Sequence, residues 1–276
     1  MATPILSILI INYKTPDLTK LCLRLLRKHT DLSKVKIIVV DNDSADESLE
    51  YLRKLSWITL IERKKLPGEL PANMHASALD LAFSRVDTPY VLSIHTDTLV
   101  LSDGWLEYLL GEIEKSPEIA GVGSWKLESV SPWKKLGKSL EKFFQTRVLY
   151  PLCGRKDGGM IAGEGKNYYY LRSHCALYRT DLVRKYTQGF FDNDTAGKTL
   201  HKSLVEKGYK MVFLPTEDLM KYIRHLNHAT MILNPEISGR KTGTPAARRR
   251  VKKELNAFDF RAILADDSLD AIGDEQ

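Results

Sequence analysis

The stretch that decides the fold is Tyr90–Val100, which reads YVLSIHTDTLV. Its first five residues are apolar apart from Ser93, as in a buried strand of a parallel sheet. The strand runs directly into His95-Thr96-Asp97-Thr98. Open α/β sheets bind ligands at the carboxyl ends of such strands. A carboxylate fixed there can hold a divalent metal, and a metal there can neutralise a diphosphate, so we place Asp97 at the centre of the site.

Strand and helix patterns alternate around this stretch. Apolar strand patterns occur at 5–12, 36–40 and 57–61 before it and at 119–125 after it, with helical spacing between them. This alternation predicts an α/β fold with a mainly parallel, Rossmann-like twisted sheet flanked by helices. The rhythm is less regular after residue 125, where strand patterns at 168–172, 175–178 and 210–214 predict a smaller mixed half.

Composition limits the class of protein. The 276 residues are 43% hydrophobic and 28% charged, which is ordinary for a globular protein. Three cysteines without paired spacing indicate neither a disulfide framework nor a zinc site. The first apolar run lacks a basic segment ahead of it, and no run approaches the length of a membrane span. We expect a cytoplasmic protein that could lie at the inner face of the membrane. A net charge of +6 favours an anionic partner.

A second polar cluster, Asp41-Asn42-Asp43-Ser44, follows the strand at 36–40. A carboxylate at that place can accept hydrogen bonds from a base N–H or a ribose hydroxyl. The same residue types also favour an Asx-turn, and this cluster alone does not decide between the two interpretations.

Together, the two clusters resemble the glycosyltransferase family 2 enzymes of GT-A fold. The resemblance is carried by ILIINYKTPDLTKLCLRLL, by IIVVDNDSAD and by YVLSIHTDTLVLSDGWLEYLL with the AGVGS that follows. It covers about the first 125 residues, and continues more loosely through GFFDNDTAGKTLHKSLVEKGY and RHLNHAT.

The resemblance implies an inverting transfer of a sugar from a nucleoside-diphosphate sugar, preferably a UDP-sugar, to a hydroxyl acceptor. Residues 1–125 would bind the donor, residues 126–234 would form the acceptor half of the same GT-A domain, and residues 235–276 would form a charged C-terminal tail. A lipid-linked or surface glycan acceptor would suit a role in polysaccharide assembly at the cell surface. The alternative is a non-catalytic sugar-nucleotide binder or scaffold on the same fold.

The resemblance also implies roles for individual residues. The family's counterpart of Asp41 contacts the nucleotide base, and we group Asn12 and Asp43 with it as candidates for donor contact. His75, which opens a predicted helix in the donor half, is a further candidate that could face the sugar or only cap that helix.

The family's metal-binding Asp-x-Asp motif reads His95-Thr96-Asp97 here, so the metal would rest mainly on Asp97. His95 would be a ligand, a phosphate donor or a spacer. By the resemblance His225, rather than His228, would complete the metal shell, although a half-buried histidine bonded to the backbone explains either residue equally well. Mixed imidazole and carboxylate ligands favour Mn²⁺ over Mg²⁺.

An inverting enzyme of this family needs a carboxylate that takes the acceptor's proton. Asp194 is the first candidate and Asp192 the second, although DNDTAG departs from the family's usual acidic pair. Asp194 also has the position of a helix N-cap, a role that is compatible with that of a base.

Three basic or glycine-rich segments have no assigned role. A basic amphipathic helix is predicted at 131–148 and a glycine-rich lid or connector at 154–165, and an Arg-rich run lies in the tail. For the helix, contact with a membrane interface is one interpretation, and a surface helix with solvated lysines is the other. For the Arg-rich run, the alternatives are an anionic membrane surface and pairing with the acidic end of the tail. Nothing in these segments resembles a nucleic-acid-binding module.

Overall fold

The computed structural model describes residues 3–127, 169–191, 195–234, 243–256 and 260–271. Its strands are β1 (Leu6–Asn12), β2 (Val35–Asn42), β3 (Thr59–Arg63), β4 (Tyr90–His95), β5 (Thr98–Val100), β6 (Ile119–Gly123), β7 (Cys175–Arg179), β8 (Lys210–Phe213) and β9 (Ile223–His225). Its helices are α1 (Pro16–Lys28), α2 (Glu47–Leu52), α3 (Pro71–Phe83), α4 (Trp105–Glu114), α5 (Thr180–Tyr186), α6 (Lys198–Glu206), α7 (Thr216–Leu219), α8 (Ala229–Leu233), α9 (Pro245–Asn256) and α10 (Phe260–Ala265).

The strand that begins at Tyr90 lies at the centre of a seven-stranded sheet with the order β3-β2-β1-β4-β7-β6-β8. All neighbouring pairs are parallel except those made by β7, which runs antiparallel to both β4 and β6. The predicted α/β fold with a mainly parallel sheet is therefore confirmed. Because β7 runs the opposite way, its amino end lies at the edge where the other strands have their carboxyl ends.

The sheet is buried on both faces because successive side chains of a strand point to opposite sides. All seven residues of β1 are buried. Ile8 and Ile10 join a core with α1 and α4, and Leu9 and Ile11 join a second core with α3 and α6. Helices thus cover both faces, and the polar ends of the strands are left at the edge of the sheet.

The strand predicted at 168–172 is wrong over its described residues. Residues 169–172 form no ladder. Instead, the Leu171 N–H donates to Nδ1 of His201 over 3.2 Å, and the Arg172 N–H donates to the Ser124 carbonyl over 3.0 Å. A side-chain acceptor replaces a strand partner here, which an apolar pattern cannot reveal. The segments at 131–148 and 154–165 lie outside the described residues.

A second, two-stranded sheet joins the two halves of the chain. β5 pairs antiparallel with β9, and Thr98 lies opposite His225. This pairing places the end of β9 beside the polar cluster that follows β4.

The C-terminal segment packs against α1 and α8. Val251 of α9 is 1% exposed in a core with Leu21 and Leu25, and Ile263 of α10 packs on that core. Arg24 of α1, which is fully buried, donates from Nε to Oδ1 of Asp270 over 2.9 Å and from Nη1 to the Ile263 carbonyl over 3.0 Å.

No described helix combines the length and the apolar character that a bilayer crossing requires.

Replacement of Arg24 by Gln tests this anchor. The change leaves Asp270 partly buried without its cation, and removing one partner of a buried ion pair costs about 3 kcal/mol at the lower end of its range. We expect this loss of unfolding free energy in urea denaturation at pH 7. Lys28→Gln, on the exposed end of the same helix, is the control and should change stability by less than about 0.5 kcal/mol.

The effect should depend on pH. Burial raises the pKa of Asp270, but hydrogen bonds from Arg24 and Tyr51 outweigh it and the net pKa is lowered. A lowered folded-state pKa gives stability above the unfolded pKa that is lost as the pH falls. The difference between wild type and Arg24→Gln should therefore shrink below about pH 4. Equal stability of the two proteins at pH 7 would contradict the claim that the Arg24–Asp270 pair stabilises the fold.

Candidate active site

A cavity of about 320 Å³ lies at the carboxyl ends of β1, β2 and β4. Its walls come from β1 and β2, from the first turns of α3, from the turn after β4, and from α8. The lining residues are Ile11, Tyr13, Asn42, Met74, His75, His95, Thr96, Asp97, His228, Thr230 and Met231. This is the edge at which a doubly wound sheet binds its ligands.

The backbone around Asp97 fixes its side chain. The Asp97 carbonyl accepts the Leu226 N–H over 2.8 Å, and Oδ2 accepts the Ala229 N–H over 2.9 Å. The residue is 3% exposed. Leu226 directly follows β9 and Ala229 is the first residue of α8, so the β5–β9 pairing helps to hold one carboxylate oxygen in place.

The other carboxylate oxygen of Asp97, Oδ1, has no hydrogen-bond partner within the described part of the chain although it is buried. Nε2 of His225 lies 3.3 Å from it and Nδ1 of His95 lies 3.7 Å from it. The possible ligand atoms of these three residues lie within 4.8 Å of one another. A carboxylate with one unsatisfied oxygen, next to two imidazoles, is a ligand set that suits a divalent transition metal.

The protonation states suit that interpretation. Burial by itself raises the pKa of Asp97, but His225, His95 and the Ala229 N–H bring the pKa well below its ordinary value. Burial lowers the pKa of His95 well below its ordinary value, and lowers the pKa of His75 to about 4 although Asp97 opposes it. These two imidazoles are therefore neutral at pH 7, which is the form that binds metals.

Four imidazoles, those of His75, His95, His174 and His225, form a histidine cluster around Asp97. The His75 ring meets that of His95 edge-on at 4.8 Å, and the His174 ring stacks on that of His225 at 4.6 Å. Hydroxyls hold two of the rings: Nε2 of His95 lies 2.9 Å from Oγ of Ser173, and Nε2 of His174 lies 3.0 Å from Oγ of Ser124. The cluster thus has fixed orientations before any ligand arrives.

A buried polar network lies behind the wall formed by β2. Nδ2 of Asn12 has two N–H groups for three nearby acceptors, which are Oδ1 of Asp41 at 2.7 Å, Oγ of Ser48 at 2.7 Å and Oγ of Ser44 at 3.1 Å. Oδ1 of Asn12 accepts from the Thr19 hydroxyl over 2.6 Å. Asn12 is fully buried, and its contacts with Asp41 and Ser44 hold the turn that follows β2 in shape.

Asn42, next to Asp41, reaches the cavity directly. Its Oδ1 accepts from Nη1 of Arg63 over 2.7 Å, and its Nδ2 donates to the Met74 carbonyl over 3.2 Å. Arg63 in turn pairs with Glu69 at 2.5 Å, and both side chains are nearly buried. The cavity wall at the end of β2 is therefore rigid and polar.

Comparison with known proteins identifies the family. The model of the family described as glycosyl transferase family 2 matches residues 7–187, which is more than half of the chain. The chain belongs to glycosyl transferase family 2. A search of curated proteins gives no match for this glycosyltransferase.

Solved structures agree on the fold. The mannosyltransferase PcManGT from Pyrobaculum calidifontis, in complex with GDP-Man and Mn²⁺, is similar with a TM-score of 0.52 at 14% identity over 95% of this chain and 72% of that chain. Residues 1–349 of S. aureus TarS give a TM-score of 0.50 at 15% identity, with coverage of 96% and 73%. The structure of TarS 1–349 in complex with UDP gives a TM-score of 0.50 at 14% identity, over 98% of this chain and 76% of that chain. The glycosyltransferase has the predicted GT-A fold.

The structure brings most of the predicted site residues together. His75, His95 and Asp97 line the cavity, and His225 contacts Asp97. Asn12 and Asp41 lie behind the wall. Asp43 is not among the lining residues and pairs with Lys64 at 3.2 Å. Asp192 and Asp194 lie outside the described residues. The roles of all these residues stay predictions.

The sequence did not point to His174 and Ser173 as site residues. His174 directly precedes β7, and the antiparallel direction of that strand places the histidine beside His95. The apolar pattern of β7 does not show its direction, and without that direction His174 could not be placed at the site. His228, which was weighed only against His225, lines the cavity from the start of α8.

Replacement of Asn12 by Ala tests the network behind the wall. The change leaves Asp41 and the Thr19 hydroxyl without their partner, which should cost about 1–3 kcal/mol of unfolding free energy. It should also weaken nucleotide binding, because the Asp41 turn loses its support. Asn256→Ala, at an exposed position at the end of α9, should change stability by less than about 0.5 kcal/mol. If Asn12→Ala melted at the wild-type temperature, the network would not contribute to the stability of the fold.

Proposed function

We propose that this protein is an inverting glycosyltransferase that moves a sugar from a nucleoside-diphosphate sugar, preferably a UDP-sugar, to a hydroxyl acceptor. The observation that carries the proposal is the unsatisfied, buried Oδ1 of Asp97 on the wall of a cavity at the ligand-binding edge of the sheet. Residues 1–125 form the donor half, residues 126–234 form the acceptor half, and residues 235–276 form a charged tail, whose described part packs on α1.

The base and ribose of the donor lie along the ends of β1 and β2. Asn42 and Tyr13 line that part of the cavity, and Asp41 is held behind it by Asn12. The Asn42 amide at this place can accept hydrogen bonds from a base edge and donate them to it. Asp41, which was predicted to contact the base, is 2% exposed and lies behind this wall. The transferred sugar lies toward His75 and His95.

Asp97 and His225 would hold a divalent metal, with His95 as a third ligand. The ion would supply positive charge to the leaving diphosphate. The two nitrogen ligands make Mn²⁺ a better fit than Mg²⁺, which prefers oxygen ligands and retains its waters. The pinned Oδ2 of Asp97 keeps Oδ1 directed toward the histidines.

Asp194 acts as the base, with Asp192 as the second candidate. The acceptor oxygen forms the new bond to C1 of the sugar while the bond from C1 to the diphosphate oxygen breaks. The hydroxyl proton goes to Asp194, and the nucleoside diphosphate leaves. Thr195, the residue after Asp194, lines a second cavity together with His75.

The segment before Asp192 is fixed from the donor half. The carboxylate of Asp80 on α3 accepts the N–H of Phe190 over 2.6 Å and that of Phe191 over 3.0 Å. Gly189, at φ +99°, brings its backbone so close that a Cβ would lie 2.3 Å from Oδ1 of Asp80. This clamp fixes the backbone of Phe190 and Phe191 against α3.

The acceptor is a lipid-linked or surface glycan, which the protein modifies during surface glycan assembly. The protein works in the cytoplasm, at the inner face of the membrane. The basic residues of α9 support contact with an anionic surface, because α9 buries Val251 and leaves its charges in solvent. These exposed residues are Arg248, Arg249, Arg250, Lys252 and Lys253.

Mn²⁺ binding tests the metal site. UDP with Mn²⁺ should raise the melting temperature more than UDP alone or UDP with Mg²⁺, because a ligand of the folded state stabilises it. In calorimetric titrations, Asp97→Asn should abolish Mn²⁺ binding. His225→Gln should weaken it at least tenfold, since loss of even an outer partner of a metal ligand costs about 10–100-fold.

The matched control is His29→Gln. His29 is also paired with an aspartate, Asp103 at 2.6 Å, but it lies away from the cavity. Mn²⁺ affinity of this variant should equal that of the wild type. Unchanged Mn²⁺ affinity in Asp97→Asn would exclude the proposed site.

Replacement of Asp194 by Asn tests the base. Transfer should fall by about 10²–10⁴-fold, which is the usual contribution of a general base, while the UDP affinity stays within about twofold of wild type. Asp192→Asn should lose less activity. Full activity in Asp194→Asn would assign the base elsewhere. Nucleotide-sugar binding without turnover, in every variant and acceptor mixture, would favour the non-catalytic binder.

A further inference from the structure

The second cavity, of about 100 Å³, shares His75 with the first. Its lining residues are His75, Tyr170, Arg172, Ser173, Thr195 and Ala196. A molecule in this cavity would approach the donor past the imidazole of His75. None of these lining residues carries a carboxylate.

Arg172 is fixed in the wall of this cavity. Its guanidinium carbon lies 5.2 Å from the centre of the Trp125 ring and 5.3 Å from that of Tyr170, and Nη1 donates to the Tyr170 hydroxyl over 2.6 Å. Two aromatic faces and one hydrogen bond therefore hold a half-buried cation before any ligand binds.

Within the described residues, Arg172 forms no ion pair with a carboxylate, and its Nε and Nη2 form no hydrogen bond. Arg24 and Arg63, by contrast, are paired with Asp270 and Glu69. Arg179 also has no carboxylate partner in the described part of the chain, but its Nε and Nη2 donate to the Ile119 and Ile113 carbonyls. Arg172 differs because its Nε and Nη2 are left to bind a ligand.

The surroundings of Arg172 also favour a negative ligand. Ser173 and Thr195 line the same cavity with polar side chains that carry no negative charge. Lys198, in the first turn of α6, adds positive charge near the Tyr170 hydroxyl. A planar guanidinium with free N–H groups beside uncharged polar side chains matches the oxygens of a phosphate.

We propose that the second cavity binds a phosphate group of the acceptor, so that the glycosyl acceptor is a phosphate-bearing alcohol held by Arg172. This inference rests on the proposed function. The phosphate anchors the acceptor in the second cavity, and its hydroxyl reaches past His75 toward the donor. Either a polyol phosphate or a lipid phosphate could supply this group.

Ligand-observed NMR titrations test the inference without catalysis. Glycerol 3-phosphate, glycerol and octyl phosphate are titrated separately, with and without saturating UDP and Mn²⁺ to fill the donor phosphate site. Wild type should bind glycerol 3-phosphate at least about tenfold more tightly than glycerol, because a hydrogen-bonded charge is worth more than that factor. Tighter binding of octyl phosphate would identify a lipid source, and tighter binding of glycerol 3-phosphate would identify a polyol source.

Variants assign the effect to Arg172. Arg172→Gln should lose at least about tenfold in glycerol 3-phosphate affinity, and Arg172→Lys should lose less because it keeps the charge. Lys202→Gln removes a positive charge from an exposed ion pair on α6 and should bind as wild type does. Equal affinity of wild type for glycerol and glycerol 3-phosphate, or wild-type affinity in Arg172→Gln, overturns the inference.

The two proposals fail in different ways. If no nucleoside diphosphate shifts the melting temperature, with or without Mn²⁺, the proposed function is wrong. If UDP binds but glycerol 3-phosphate does not discriminate between wild type and Arg172→Gln, only the phosphate-bearing acceptor is wrong. The wild-type comparison of glycerol with its phosphate remains decisive even if Arg172→Gln does not fold.

Discussion

The site depends on how the backbone holds Asp97. Two N–H groups at the ends of the turn between β9 and α8 bind this residue, one at its carbonyl and one at Oδ2. That turn contains Asn227 and His228, both with left-handed φ values of 46° and 64°. Such conformations cost about 1 kcal/mol or more each for residues other than glycine, and they persist where surrounding contacts enforce them. Strain in the turn thus accompanies an aspartate that has one satisfied oxygen and one that is free to bind a ligand.

The histidine cluster gives the site its own chemistry. Where the family's motif has two acids, this glycosyltransferase has His95 before Asp97, and β7 adds His174 from the opposite direction. Replacing a carboxylate by neutral imidazoles lowers the negative charge at the cavity and shifts the metal preference from hard to borderline ions. The antiparallel direction of β7 brings His174 to this site, because it places the amino end of β7 at the edge where the other strands have their carboxyl ends.

Sequence patterns predicted the elements with strong periodicity. The buried runs of β1, β2 and β4 and the helical spacing of α3 and α4 needed only the alternation of side chains, and the structure confirms them. The family resemblance supplied Asp97 and His225 as partners, and the structure places them in contact. The structural role of Asn12 was hidden, because it is the last residue of an apolar strand and the acceptors around its Nδ2 lie 29 to 36 residues away. Arg172 was also missed, since the lack of a carboxylate partner among the described residues is visible only in three dimensions.

The central claim is that a metal binds between Asp97 and His225. The most direct measurement is anomalous diffraction at the manganese absorption edge from crystals grown with Mn²⁺ and UDP. A single strong peak in coordination contact with Oδ1 of Asp97 and Nε2 of His225, beside the UDP diphosphate, is the predicted result. A peak bound to other residues, or a UDP complex in which Oδ1 of Asp97 accepts a hydrogen bond from the protein instead, would contradict it.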